Sequence, residues 1–372
     1  MNKKLSVLAV LAAGFSISLA ACGGGGSSSP ASSPVTASSP SGASAPAGAS
    51  SSTGSSGSAP LATSATNPFP TSSGQAAIFT ALNSYRSQLG VGVLQDDPIL
   101  DTSAMAHATY LEANLANGNL AGALSHDEVS TFSDFYAETP LARAQRAGAP
   151  PTEWVGEDIT VSALTDASQA GSDCVSGLLD TVYHLSSLTS TQQTLGVGFT
   201  PVTNGVSSVC VTDFGSTTGV YGTPEANAIP VFGGQQMATT TVAHVPLAGE
   251  TGVATAMTAE SPNPVPSITS PGRPLMLRVN AENAGDVLTV SSFTLTDASG
   301  NAVAGEILIP AGAASGSTSA ALTDPNGLLP PGVAFFVPSQ PLSPNTAYSA
   351  AFNGARDGTP ISSAWTFTTG TN

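Results

Sequence analysis

Trp154-Val155-Gly156-Glu157-Asp158-Ile159 sets two carboxylates between apolar flanks, about midway between His126 and His184. Gly156-Glu157-Asp158 reads as an acidic turn, and its flanks carry the backbone, with Glu157, into the interior. The chain has 4 histidines in 372 residues, and two of them bracket this turn. Two imidazoles and a carboxylate are a minimal set for holding a divalent cation or for acid-base chemistry. Both uses need a neutral nitrogen donor and an oxygen anion near neutral pH. The fold must bring His126, Glu157 and His184 together for either.

Helix signals surround this stretch. Ser72 or Ser73 caps a helix whose apolar face is Ile78, Leu82, Tyr85 and Leu89, ending at Gly90. Asn83 and Arg86 lie on it within a turn of each other. A second helix starts at an Asp101-Thr102-Ser103 cap, aligns Ala104, Ala108, Leu111 and Leu115, and stops at Gly118. His107, at the edge of that stripe, reads as a packed structural histidine needing one hydrogen bond. Ser125-His126-Asp127-Glu128 opens a loop with Phe132 and Phe135, then a short helix runs from Thr139-Pro140 to Gly148. A third, long helix is predicted from about Asp166 to Leu188, with Cys174, Leu178, Val182 and Leu185 on one face. Strands follow at Leu195 to Phe199 and Ser208 to Phe214. Helices followed by strands, without βαβ alternation, predict an α+β sandwich.

Past Gly222 the apolar runs become short and alternating. Strand-like segments are Leu275 to Val279, Val287 to Val290, Phe293 to Thr296, Glu306 to Ile309, Val333 to Val337, Tyr348 to Phe352 and Trp365 to Thr368. Asp297 to Asn301 and Asn353-Gly354 supply turns. Seven such strands predict a β-sandwich, and the ending from Pro341 to Thr369 resembles bacterial Ig-like domains. Tyr348 is placed to make a corner hydrogen bond, Trp365 reads as core, and His244 receives no role.

The amino terminus speaks to compartment. Lys3 and Lys4 precede an apolar run from Leu5 to about Leu19, too short to span a bilayer and built like the core of a secretory signal. Leu19-Ala20-Ala21-Cys22 resembles a bacterial lipobox, which implies cleavage after residue 21 and acylation of Cys22. Gly23, rather than Asp, implies outer-membrane sorting in a Gram-negative envelope. After Cys22, residues 23–73 are almost all Gly, Ser, Ala, Pro and Thr, predicting a disordered tether with a span of roughly 35 to 42 Å. Cys174 and Cys210 then remain to form one disulfide in an oxidising compartment. No lysine follows Lys4, and 24 acidic residues face 8 basic ones in the whole chain. Nucleic acid and anionic head groups are poor partners for such a surface.

Seven pieces in order carry a family resemblance. They are Leu82 to Arg86, Ala106-His107-Ala108-Thr109-Tyr110, Ser125-His126, Arg143 to Gly148, Gly156 to Ile159, Tyr183-His184, and Leu195-Gly196-Val197-Gly198. Together they resemble the CAP superfamily of cysteine-rich secretory, antigen 5 and pathogenesis-related 1 proteins. The resemblance covers Gly74 to Tyr221 and implies an α-β-α sandwich with a central cleft into which His126, Glu157 and His184 project. Asp158 stands where that family usually has Asn, and Thr181 where many members have a second cleft Glu.

The resulting domain reading is a signal peptide (1–21), a lipidated tether (22–73), a CAP-like domain (74–222) and a β-rich, Ig-like region (223–372). For function it predicts an envelope-anchored binding module whose His126, Glu157 and His184 cleft takes Zn²⁺, another divalent cation or a small apolar ligand, or which meets a surface partner. A metal-dependent hydrolase acting on envelope material and a purely structural or adhesive protein are the alternatives. No Gly-x-Ser-x-Gly elbow appears, which argues against a serine nucleophile.

Overall fold

The computed structural model describes residues 57–203 and 205–371. The expected signal peptide, Cys22 and the tether up to residue 56 lie outside them. The remainder of the expected tether, 57–73, is laid against the body. Ala59 bridges to Gln235, Val93 N–H donates to Ala62 O (2.9 Å), and the Asn67 amide donates to Ala76 O (3.0 Å). Phe69 packs edge-on against Phe79, an apolar anchor that gives this low-complexity stretch something to bury.

The first helix, α1 (Gly74–Leu89), starts at Ser73, whose side chain accepts from Ala76 N–H, and stops at Gly90 in the left-handed conformation. Asn83 and Arg86 on its buried face pin the loop that follows. Asn83 exchanges two hydrogen bonds with the Leu94 backbone, at 3.0 and 2.7 Å. That loop leads to β1 (Gln95–Asp96) and α2 (Pro98–Ala116). Helix α2 begins earlier than expected, because Asp97 accepts from Ile99 N–H and Pro98 occupies the first turn. Then come α3 (Pro140–Ala147) with its Thr139 cap, β2 (Trp154–Ser162), α4 (Ala167–Leu179), α5 (Tyr183–Leu188), β3 (Thr194–Thr200) and β4 (Ser208–Ser216). The disulfide is present: Cys174 is bonded to Cys210, Cα atoms 6.4 Å apart, stapling α4 to β4.

The first sheet has the order β1-β3-β4-β2. Helix α2 lies close on β3 because Gly196 and Gly198 have no side chain. A Cβ at Gly196 would sit 2.1 Å from the Leu100 carbonyl carbon, and one at Gly198 would sit 2.2 Å from Ala104 O. The alternate residues Leu195, Val197 and Phe199 face the other way, into the core built from α1 and α4.

Beyond residue 222 come β5 (Val242–Val245), β6 (Thr251–Val253), β7 (Leu275–Val279), β8 (Leu288–Asp297), β9 (Gly305–Ile309), β10 (Ala321–Thr323), β11 (Val333–Pro338), β12 (Ala347–Arg356) and β13 (Thr359–Thr369). They form two sheets, β10-β9-β11-β7-β5 and β6-β13-β12-β8. Strand β8 is continuous where two strands were expected. Asn353-Gly354 is a bulge inside β12, not a turn; the hairpin turns at Asp357-Gly358, both with positive φ. Tyr348 OH accepts from Ser343 N–H at 2.8 Å, and Trp365 is buried against His244, rings 4.3 Å apart.

The fold-class expectation is corrected. The described residues are 29% strand and 21% helix, with five helices serving three sheets. Each sheet mixes parallel and antiparallel pairs: β1 with β3, β9 with β10, and β6 with β13 are parallel. Nor do the two halves close separate cores. On β11, Val333, Phe335 and Val337 join the core of α1, α4 and α5, while Ala334 and Phe336 join the core between the two later sheets. The chain is predominantly sheet, with a core running from the helices through a sheet buried on both faces. An α-β-α sandwich of CAP type followed by an all-β Ig-like sandwich does not describe it. Residues 225–237, past the boundary expected at 222, also lie on the first sheet: Ala228 N–H donates to Val155 O and Gln235 N–H to Thr191 O.

Candidate functional site

Gly156-Glu157-Asp158 is not a turn. It lies in β2, the edge strand of the first sheet, antiparallel to β4 with Glu157 opposite Asp213 and Asp158 opposite Thr212. Directly opposed residues share a face and successive ones alternate. Glu157 and Asp213 therefore point to one face, and Asp158 points to the other.

On the Glu157 face the carboxylate is fully engaged. Its Oε2 accepts from Arg143 Nη2 at 2.7 Å, and its Oε1 lies 2.8 Å from His126 Nδ1. Arg143 Nη1 also donates to His126 O at 2.9 Å, so one guanidinium from α3 fixes both the carboxylate and the histidine backbone. Burial opposes the charge on Glu157, but Arg143 foremost, then His107 and His126, hold it well below the usual carboxylate range. An ionised Glu157 can only accept, so the proton of the 2.8 Å bond belongs to His126 Nδ1. His126 Nε2 has no protein partner among the described residues.

Behind this pair stands a second layer that sequence reading did not assign. His107 is fully buried, with Nδ1 3.1 Å from Glu128 Oε1 and Nε2 3.0 Å from Ser125 O. Its structural role is as expected, but its partner is a carboxylate. Glu128 also accepts from Tyr136 N–H at 2.6 Å, tying the loop after His126. Asp213 is wholly buried, and neither oxygen has a hydrogen-bond partner among the described residues, nor has the nearby Ser103 Oγ. Burial first, then the charge of Glu157, push the Asp213 carboxyl well above the usual range. Arg143 was the available signal: an arginine on a short helix, in a chain with so few cations, is a natural partner for a buried carboxylate.

His184 does not join Glu157. It sits at the start of α5, with Nδ1 3.1 Å from Glu260 Oε2 and 3.3 Å from Thr181 Oγ1. Glu260 further accepts from Val182 N–H (2.7 Å) and Tyr183 N–H. The long helix expected from Asp166 to Leu188 breaks here. Asp180 leaves the helix to pair with Arg273 Nε at 2.8 Å, and Glu260, far along the chain, caps the new start. Burial lowers the His184 pKa, but the bond to Glu260 and the charge of Asp158 outweigh it, and the net shift is upward.

Asp158 connects the two imidazoles electrostatically. Burial drives its carboxyl up to about 6, against the pull of His184, a Ser187 hydrogen bond and His126. Its Oδ2 has no partner among the described residues. The arrangement is thus two imidazoles, each steered by its own carboxylate, with the buried acid Asp158, raised to about 6, next to Glu157 on β2 and feeling the charge of both rings. Among the described residues no group of three or more His, Cys, Asp or Glu side chains is placed to hold a metal ion. With both oxygens of Glu157 taken and His184 on a different acid, the three-residue metal set does not fit. No family model matches this chain, and comparison with curated proteins yields no match.

Proposed function

We propose that the protein is an envelope-anchored binding module rather than an enzyme, taking a small ligand that donates a hydrogen bond to His126 or to His184. One observation supports this above others. In each pair the imidazole Nδ1 is engaged by a buried carboxylate (2.8 and 3.1 Å) and Nε2 is left without a protein partner among the described residues. That arrangement fixes ring orientation and raises the basicity of the free nitrogen. A largely apolar molecule carrying one hydroxyl group, such as a sterol or long-chain alcohol, meets those requirements. Turnover would need a nucleophile or an activated water beside a free base. The paired cysteines supply no thiol, and Ser125 Oγ is turned to Asp127.

The test is a fluorescence titration of the full-length protein with a sterol analogue, compared with His126→Ala and His184→Ala. Saturable binding weakened about tenfold by one of the two substitutions is the expected result, the worth of one hydrogen bond of about 1.4 kcal/mol. Unchanged affinity in both variants would place the ligand elsewhere, and metal-dependent hydrolysis of envelope material abolished by both would replace the reading with the enzymatic one. Anchoring through Cys22 is tested by mass spectrometry of the mature amino terminus, which must begin with an acylated cysteine.

A further inference from the structure

Six arginines serve the whole chain, and their counter-charges divide them. Arg143 has Glu157, Arg273 has Asp180, Arg356 has Asp286, and Arg146 is at the surface. Arg86 and Arg278 have no carboxylate within 4.0 Å among the described residues, yet they are only 0% and 6% exposed.

Arg86 is saturated by neutral oxygens: Gly92 O, Leu188 O, Gln192 Oε1, Val91 O and Ser190 O. Arg278 is not. It projects from β7 on the same face as Met276, toward the helices, where Nη2 donates to Ser186 O (2.6 Å) and Ser186 Oγ (3.2 Å). Its Nε is buried with no partner. Beside it is a cavity of about 20 Å³, lined by Ser190, Thr191, Gln236, Met237, Arg278 and Pro330 among others. That is room for about one water-sized particle. The carbonyl end of α5 offsets only part of the two positive charges, on the order of half a unit. Burying a guanidinium without a counter-ion is costly. Burial lowers the pKa of Arg278 to about 10 and, with the neighbouring Arg278 charge added, that of Arg86 to about 9.

We propose that this cavity is an anion site, holding one small monovalent anion of halide size on Arg278 Nε. Bound there, the anion neutralises Arg278, sits beside the Arg86 shell, and joins the carboxyl end of α5 to β7. A space of that size takes a small anion and not a bulky one.

The experiment has two arms on the full-length protein. Thermal unfolding is followed while sodium bromide replaces sodium methanesulfonate at constant ionic strength. The midpoint is expected to rise saturably with bromide in the wild type and to be insensitive to it in Arg278→Met, while Ser190→Ala folds and binds bromide more weakly. In the second arm, anomalous diffraction from bromide-soaked crystals is expected to show one peak within hydrogen-bonding distance of Arg278 Nε. If Arg278→Met does not fold, the wild-type titration and the diffraction decide the question. A wild-type midpoint that does not depend on the anion, or a water in place of bromide, overturns the proposal. A peak in the crystal without saturation in solution is an adventitious ion only, and also overturns it.

Discussion

Glu157 and Asp213 face each other across β2 and β4, yet the same substitution in each has opposite consequences. Glu157→Gln removes the nearest carboxylate, at 2.7 Å, of a guanidinium that is 0% exposed, and leaves it Glu128 at 3.8 Å. Breaking a buried pair from one side destabilises by about 3–5 kcal/mol. Burial and the charge of Glu157 push the Asp213 carboxyl upward, disfavouring its charge, so Asp213→Asn puts an uncharged group of the same shape where a charge is already disfavoured. Its cost is expected to be below about 1 kcal/mol. Urea unfolding of both variants checks this, and equal losses would mean that Asp213 is ionised in the folded protein. At this scale the sequence was informative about type and silent about pairing. His126 and Glu157 are brought together from distant positions as their chemistry suggested. His184 is not brought to Glu157, because its acid, Glu260, lies in a Pro-rich stretch with no periodicity to mark it.

The break between α4 and α5 shows why elements were only partly legible. Leu178, Val182 and Leu185 keep the 3.6-residue spacing across the break, and all are buried, so periodicity alone predicts one helix. What ends it is tertiary: Arg273 draws Asp180 out, and Glu260 takes the amides of Val182 and Tyr183. Glu260→Ala leaves those two buried donors and His184 unpartnered. We expect a loss of about 2–3 kcal/mol, from hydrogen bonds to a charged acceptor. Urea unfolding measures it, and histidine resonances report whether His184 becomes mobile. A loss below about 0.5 kcal/mol with His184 unmoved would show that Glu260 does not set this helix. Where caps were local, at Ser73, Thr139 and Gly90, the sequence marked them correctly.

At the scale of the molecule, Leu275 to Leu277 and Val333 to Val337 are continuous apolar runs, although the runs past Gly222 read as alternating. Such runs mark strands buried on both faces. They were legible as strands, but the expectation of a separate sandwich left one of their faces in solvent. The observed sheet instead packs one face on the helices and the other on its partner sheet.

The buried acids also give the whole chain a pH dependence. Burial raises Asp101 and Glu153 to about 7 and Asp158 to about 6, and Asp213 well above its usual range. A carboxyl whose folded pKa is raised holds its proton in the folded state after the unfolded chain has lost it, so stability falls as pH rises through that window. His184, also raised, contributes below its unfolded pKa and loses that contribution as pH rises through its folded pKa. Glu157, held low, acts oppositely: its contribution is present above about 4.5 and is lost as pH falls. The unfolding midpoint is therefore expected to be highest at about pH 4 or below and to decline from there toward about pH 7. A midpoint that rises steadily from pH 5 to neutrality would contradict these assignments.

The account turns on the state of two imidazole nitrogens. Long-range proton-nitrogen NMR of the histidine rings in the full-length protein, above about pH 8 where imidazoles are neutral, reads that state directly. It should show His126 and His184 with the proton on Nδ1 and a bare Nε2, and addition of the sterol analogue should shift the Nε2 signal of the ring that binds it. Protonated Nε2 in either ring, or rings whose nitrogen signals average between tautomers, would mean that Glu157 and Glu260 do not orient them and that the binding site has been misread.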